Sequence, residues 1–312
     1  MMTLLILTLM ALTAQITTSF SQPPKLPSSS PSRLTFRTHP PATSLFALNR
    51  GSTVAIITPM TPTGEIDYDS YKALVHWHIR EGTDGLCVLG TTGEAAVMTM
   101  EERERVLEAT MEAKGDSDIS IIVGTGTINP QTCIEFSKQA LAHGADGALV
   151  VTPYYVKPTP AGLVNHFKTI AEAVPDLPIV LYNVPSRTGC DMQPETVSMV
   201  KDACNGVVVG IKEATGDVSR VSPIKSLCGS DFLMWSGDDE TGSEFVLSGG
   251  DGVISVSANC APNAMSRIMK AALDGDRSTV EALNGPLKPM HDKLFVESNP
   301  IPVNTRLRAD AE

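Results

Sequence analysis

The chain has 312 residues, enough to bury one large core or two modest ones. A formal charge of −11 and a pI near 5.0 argue against nucleic acid or an anionic membrane as a partner. Apolar content of 42% beside 19% charged residues is ordinary for a soluble globular enzyme. The six cysteines (Cys87, Cys133, Cys190, Cys204, Cys228, Cys260) are widely spread, form no CxxC pair and have no histidine cluster beside them. That speaks against a metal or redox centre and reads as reduced, partly buried filler.

Residues 1–48 read as a disordered targeting leader. Leu4 to Leu12 is an apolar run too short to span a bilayer, followed by small and polar residues, as in a signal peptide, although no lysine or arginine precedes it. From Phe20 to Asn49 the composition turns to Ser, Pro and Thr, and no acidic residue occurs before Glu65. Basic, Ser-rich and acid-free composition marks a transit peptide. The combination, with Phe20 opening the second part, resembles a two-part plastid leader and implies the chloroplast stroma. Secretion and mitochondrial import are the alternatives.

From Ser52 onward apolar β-rich runs recur at 54–57, 86–89, 119–123, 148–151, 179–181, 207–211, 232–235 and 253–256. Helical segments separate them. Thr99 to Glu102 has the pattern of a capping box, Asn129-Pro130 of an N-cap followed by proline at the first helical position, and Gly144 of a stop. Pro194 opens another helix. Eight strand–helix repeats predict a (β/α)8 TIM barrel over residues 49–275, with residues 276–312 as a partial, truncated C-terminal helical extension. A doubly wound sheet is the alternative, but Thr58-Pro59-Met60 after the first strand is no glycine-rich phosphate loop.

Each predicted strand ends in a polar or glycine-rich phrase: Thr58-Pro59, GTTGE at 90–94, GTG at 124–126, TPYY at 152–155, YNVPSRTG at 182–189, Lys212, SGDD at 236–239 and SAN at 257–259. In a barrel these phrases gather at one mouth. Lys212 closes a β-branched run, VVVGIK, that reads as buried on both faces. A lysine there must be paired, with Glu213 or another carboxylate, or must lose its charge and become a nucleophile able to form an imine. On this stretch alone the paired, structural lysine is the commoner case. GTTGE is equally a nest for a carboxylate or phosphate and a plain loop whose threonines cap their own backbone. Tyr182 ends a strand and is either a proton-transfer group or a satisfied core tyrosine. Arg187, in a Pro-Ser-Arg-Thr-Gly turn, could grip a carboxylate or lie idle on the surface.

GTTGE, TPYY, YNVPSRTG, GIKEATG, SGDD and GVISVSAN, in this order, resemble the dihydrodipicolinate synthase family of Schiff-base pyruvate aldolases from about Gly51 to Val303. The resemblance implies condensation of pyruvate with L-aspartate 4-semialdehyde, in lysine biosynthesis by the diaminopimelate route, with no metal or organic cofactor. By position, Lys212 matches the Schiff-base lysine and Tyr182 the proton-transferring tyrosine. Thr91 and Tyr155 match its relay partners, Tyr155 reaching into a neighbouring subunit. Thr91 and Thr92 match the pyruvate-carboxylate cradle, Arg187 the semialdehyde anchor, and Ile254 a position whose backbone carbonyl lines the site. A homotetramer, a dimer of dimers, is implied. The alternatives are an N-acetylneuraminate or keto-sugar-acid lyase, which would share Lys212 and Tyr182 but not the need for Arg187, and an inactive truncated barrel kept for assembly or regulation.

Two departures stand out. Around Tyr154, the positions aligned with the family's lysine-inhibition site are Ala95, Met100, Arg103, Ile128 and Thr132. Ile128 and Thr132 supply neither the amide nor the carboxylate that a lysine ammonium needs, so weak or absent inhibition is expected. The chain also leaves the family pattern at Asn304, where relatives usually carry lysine and continue with further helices; this is expected to weaken assembly.

Overall fold

A computed structural model describes residues 48–311, with side chains through residue 307. Residues 1–47 of the expected leader lie outside the described residues. Eight parallel strands close into a barrel in sequence order. They are β1 (Gly51–Ala55), β2 (Gly85–Val88), β3 (Ser120–Gly124), β4 (Gly147–Val151), β5 (Ile179–Asn183), β6 (Val208–Glu213), β7 (Leu233–Ser236) and β8 (Gly252–Ser255). Helices alternate with them, including α1 (Tyr68–Arg80), α2 (Met100–Lys114), α3 (Pro130–Ala142) and α4 (Pro160–Ala173). The Thr99 capping box and the Asn129 N-cap both form, and the helix opened by Pro194 runs to Ala203. Among the described residues no helix is long and apolar enough to cross a membrane.

The strands alternate as a closed sheet requires. Ala55, Cys87, Ile122, Leu149, Val180, Tyr182, Trp235 and Ile254 fill the interior. Val54, Leu86, Ile121, Val150, Leu181 and Met234 face the helices, in the larger cluster. Several strands begin earlier than their apolar runs, because the barrel floor is built of small and polar residues. Ser52, Thr53 and Ser120 are all buried there. Gly85 fits between two of them: a Cβ would lie 2.6 Å from Thr53 Oγ1 and 2.9 Å from Ser120 Oγ.

The phase of β6 matters most. Register skips one residue between Ile179↔Val208 and Val180↔Gly210. Val208 and Ile211 both face the helices, whereas Val209 packs with the interior. Simple alternation from Val208 would turn position 212 outward; the bulge resets the phase and brings Lys212 in, level with Tyr182 and Trp235. Gly210 makes this possible, since a Cβ would lie 3.0 Å from Trp235 Cζ3 and collide with Leu233 O.

Beyond β8 the chain continues as helices Pro262–Leu273, Arg277–Asn284, Lys288–Lys293 and Ile301–Ala311. A buried chain of hydrogen bonds ties them to the barrel: Ser257 Oγ to His291 Nδ1 at 2.7 Å, His291 Nε2 to Asn284 Oδ1 at 3.0 Å, and Asn284 Nδ2 to Ser243 Oγ at 3.3 Å. Leu294 and Val303 pack with Ile57 and Val256. The segment between the last two helices therefore lies over the barrel mouth.

Candidate active site

A cavity of about 580 Å³ opens at the C-terminal rim of the strands. Lys212, Tyr182, Thr91, Thr92 and Arg187 all border it. Lys212 is 6% exposed, and its Nζ sits 4.5 Å from the centroid of the Tyr182 ring. Among the described residues no carboxylate comes within ion-pair distance of it. Glu213, one of the partners open to a structural lysine, points to the other face of β6. There it accepts from Arg220 Nε at 3.1 Å, from Asn183 Nδ2 at 3.2 Å and from Thr215 N at 3.0 Å. Burial raises the Glu213 pKa, against the lowering pull of Arg220 and those hydrogen bonds. The acid next in sequence is thus locked away from the amine. Gly237 leaves room for the lysine stem: a Cβ there would lie 2.9 Å from Lys212 Cε.

Tyr182 is 8% exposed, and its hydroxyl makes no hydrogen bond among the described residues. The GTTGE turn is held from beneath, where Thr58 Oγ1 donates to Gly93 O at 2.9 Å. Its threonines do not cap their own backbone. Thr92 is buried and its Oγ1 accepts from Asn299 Nδ2 at 3.0 Å, while Thr91 stands exposed at the rim. Arg187 lies in the short helix Pro185–Thr188, exposed, with Nη2 donating to Asn299 O at 2.9 Å.

Two expected site residues do not enter this cavity. Tyr155 is 88% exposed with φ of 70°, held by its N–H to Thr188 O at 3.3 Å. Within one chain, Tyr155 is not joined to Thr91 and Tyr182; Tyr154 borders the cavity instead, bonded to Thr127 Oγ1 at 3.2 Å. The Ile254 side chain, 1% exposed, belongs to the barrel interior, and Val256 is the β8-side residue at the cavity wall. Two rim phrases are largely staples. Asp239 Oδ2 accepts from Val256 N and Ser257 N at 2.9 and 2.8 Å, and Asn259 Nδ2 donates to Ala55 O at 2.8 Å, joining β8 to β1.

Sequence reasoning missed Asn299. It lies 112 residues beyond Arg187, yet it bonds both Arg187 and Thr92 and borders the cavity. Its only local signal is the Asn-Pro dipeptide before the last helix. Arg103, one of the positions aligned with the family's lysine-inhibition site, is buried, 2% exposed, in the cavity wall. Glu104, Glu108 and His143 bring ligand atoms within 4.8 Å of one another on the helices outside the mouth. The fold joins them across α2 and α3, which a linear scan does not see.

A buried, carboxylate-free lysine beside a phenol, at the C-terminal rim of a closed parallel barrel, defines a lyase of the class I aldolase type. The family model of the dihydrodipicolinate synthetase family matches residues 48–310, and the chain belongs to that family. A 4-hydroxy-tetrahydrodipicolinate synthase from Alcanivorax borkumensis is 48% identical over 259 residues, which is 83% of this chain and 86% of the relative. A chloride-inhibited dihydrodipicolinate synthase from Acinetobacter baumannii, solved with pyruvate, superposes with a TM-score of 0.80 at 46% identity, covering 83% of this chain and 88% of that one. The synthase of Cyanidioschyzon merolae, solved with lysine bound, gives 0.81 at 33% identity over 85% of this chain and 89% of that one.

Proposed function

We propose that this chain condenses pyruvate with L-aspartate 4-semialdehyde to 4-hydroxy-tetrahydrodipicolinate through an imine on Lys212. The observation that carries the proposal is the Lys212 amine, set against the face of Tyr182 with no acid of the described residues within ion-pair distance. As a neutral amine, Nζ adds to the keto carbon of pyruvate and loss of water leaves the imine. The iminium draws electron density from C3, which gives up a proton and becomes an enamine carbon. C3 bonds to the aldehyde carbon of the second substrate, whose oxygen takes up a proton. The amine of that substrate then attacks the imine carbon, closes the ring and expels Lys212, so each condensation releases one water.

Tyr182 Oη is the group free to carry these protons. Thr92 and the GTTGE backbone, with Thr91 at the rim, cradle the pyruvate carboxylate. Arg187 uses one nitrogen on Asn299 O and keeps the rest of its fork for the semialdehyde carboxylate. The imine is the electron sink, so no step calls for a metal or organic cofactor. The exposed, left-handed Tyr155 supports a relay completed by a second copy of the chain, within a dimer of dimers. Leader composition supports delivery to a plastid, which a fusion of residues 1–48 to a fluorescent protein tests. Arg187→Ala separates this reading from a sugar-acid lyase: it should abolish turnover with the semialdehyde while leaving pyruvate trapping intact. Unchanged semialdehyde turnover would contradict the assignment.

A further inference from the structure

Tyr182 and Lys212 are register partners on adjacent strands, and so are the residues that follow them, Asn183 and Glu213. The first pair borders the mouth cavity; the second is turned to the other face of the sheet and is buried there, 0% and 2% exposed. Asn183 Nδ2 donates to Glu213 Oε2 at 3.2 Å and to Asp191 Oδ1 at 2.9 Å, and Asn183 Oδ1 accepts from Met192 N at 2.9 Å. Arg220, in the one-turn helix Val218–Arg220 after β6, closes the cluster. Its Nε donates to Glu213 Oε2 at 3.1 Å, Nη1 to Asp191 Oδ2 at 3.2 Å, and Nη2 to Met192 O. Glu213 Oε1 accepts from Thr215 N at 3.0 Å. Three members of the cluster are thus chain neighbours of groups at the mouth: Asn183 of Tyr182, Glu213 of Lys212, and Asp191 of Arg187, one helical turn earlier.

The bulge in β6 gives this cluster more to do than brace a loop. A change of phase by one residue turns every side chain of a strand over, so the phase adopted is the one whose side chains are best satisfied. Simple alternation from Val208 would turn Lys212 outward, against Arg220, and Glu213 inward, into the mouth beside Tyr182. That phase sets two cations together and parts the Glu213 carboxylate from the guanidinium, both at a cost in buried charge. The bulged phase gives Glu213 a guanidinium, an amide and a backbone N–H. We propose that Asn183, Glu213, Asp191 and Arg220 are positioning residues for the reaction. They hold β6 in its bulged phase and the Asp191-Met192 segment against β5, and so set the approach of Lys212 Nζ to Tyr182 and the stance of Arg187. All four act through their neighbours, from the face of the sheet opposite the mouth. The inference rests on the condensation through Lys212 and assigns the cluster to that chemistry rather than to stability alone.

The test uses the full chain, with single-turnover borohydride trapping of pyruvate and steady-state kinetics with the semialdehyde, at a temperature where circular dichroism shows each variant folded. Glu213→Gln keeps the shape of the side chain but replaces one acceptor oxygen by an N–H donor, which opposes Asn183 Nδ2 and Arg220 Nε. Its trapping rate should fall about 10-fold, with the adduct still on Lys212. Asp191→Ala, at a side chain 36% exposed and so tolerated by the fold, releases the segment after Arg187. It should raise the semialdehyde KM several-fold and change the trapping rate less. The control is Lys225→Met at the opposite end of the barrel, where Lys225 Nζ holds Asp251 Oδ2 at 3.0 Å and Arg50 keeps that acid paired. It should lower the melting midpoint and leave the trapping rate and KM as in the wild type. A cluster that only stabilised the fold would not produce this split. If Glu213→Gln does not fold, Asp191→Ala decides. Wild-type trapping and KM in the folded variants, or equal slowing in Lys225→Met, would overturn the proposal and leave the condensation reading intact. Wild-type protein that traps no pyruvate would overturn both.

Discussion

Replacing Gly237 by alanine tests whether the placement of Lys212, rather than its mere presence, sets the rate. Gly237 follows β7, and its N–H donates to Glu213 O at 2.7 Å, so its backbone cannot move away from β6 freely. The added Cβ would stand 2.5 Å from Ala214 Cβ and 2.9 Å from Lys212 Cε. Ordinary carbon contacts need about 3.5–4.0 Å, so the lysine stem must swing by ~0.6–1 Å. Overpacking of this kind costs about 1–3 kcal/mol, or roughly 2–4 °C of melting midpoint per kcal/mol for a chain of this size. A displacement near 1 Å at a reacting atom costs on the order of 10²-fold in rate. The assay is steady-state turnover together with borohydride trapping of the pyruvate adduct under single-turnover conditions. Both rates should fall by about 10²-fold while the fold persists. Adding Ala214→Gly should recover stability but not rate, because the clash with Lys212 Cε remains. A Gly237→Ala protein that traps pyruvate at the wild-type rate would refute the reasoning.

Tyr182→Phe keeps the ring against Lys212 but removes the hydroxyl; kcat should drop by about 10²–10⁴-fold, with pyruvate affinity changed far less, as measured by steady-state kinetics. Glu213 titrates above its ordinary value in the folded chain, so its contribution to stability is full below about pH 4.5 and declines as pH rises through its folded pKa. Glu213→Gln should remove that part of the pH dependence in melts taken across the acid range. Arg220→Met should cost about 3–5 kcal/mol by stranding the buried Glu213 carboxylate, measurable by denaturant unfolding. L-Lysine should leave turnover unchanged at submillimolar concentration, since Arg103 and Thr132 offer its ammonium no acid; inhibition in that range would contradict this.

The barrel was legible because its repeats are uniform and its rim phrases interrupt them at regular points. What the sequence hid has physical causes. VVVGIK reads as one apolar run, and nothing local announces the bulge at Val208–Gly210 that aims Lys212 inward. Ser52 and Thr53 are polar, so an apolarity criterion trims the start of β1, although a narrow barrel floor favours small side chains. Arg103 sits in MEERERVLEATMEAK, where charges on every side disguise the one that is buried. Asn299 reaches Thr92 and Arg187 only through tertiary folding of the C-terminal helices. Nothing local in TPYY marks Tyr155 as a residue turned away from its own chain's cavity; only the resemblance suggested that it acts in a second copy.

The most direct test of the central claim is reduction of the protein with borohydride in the presence of pyruvate, followed by peptide mass mapping. One stoichiometric pyruvate-derived adduct is expected, on Lys212, absent when pyruvate is omitted and lost in Lys212→Ala. An adduct on another lysine, or none in a folded protein, would contradict it.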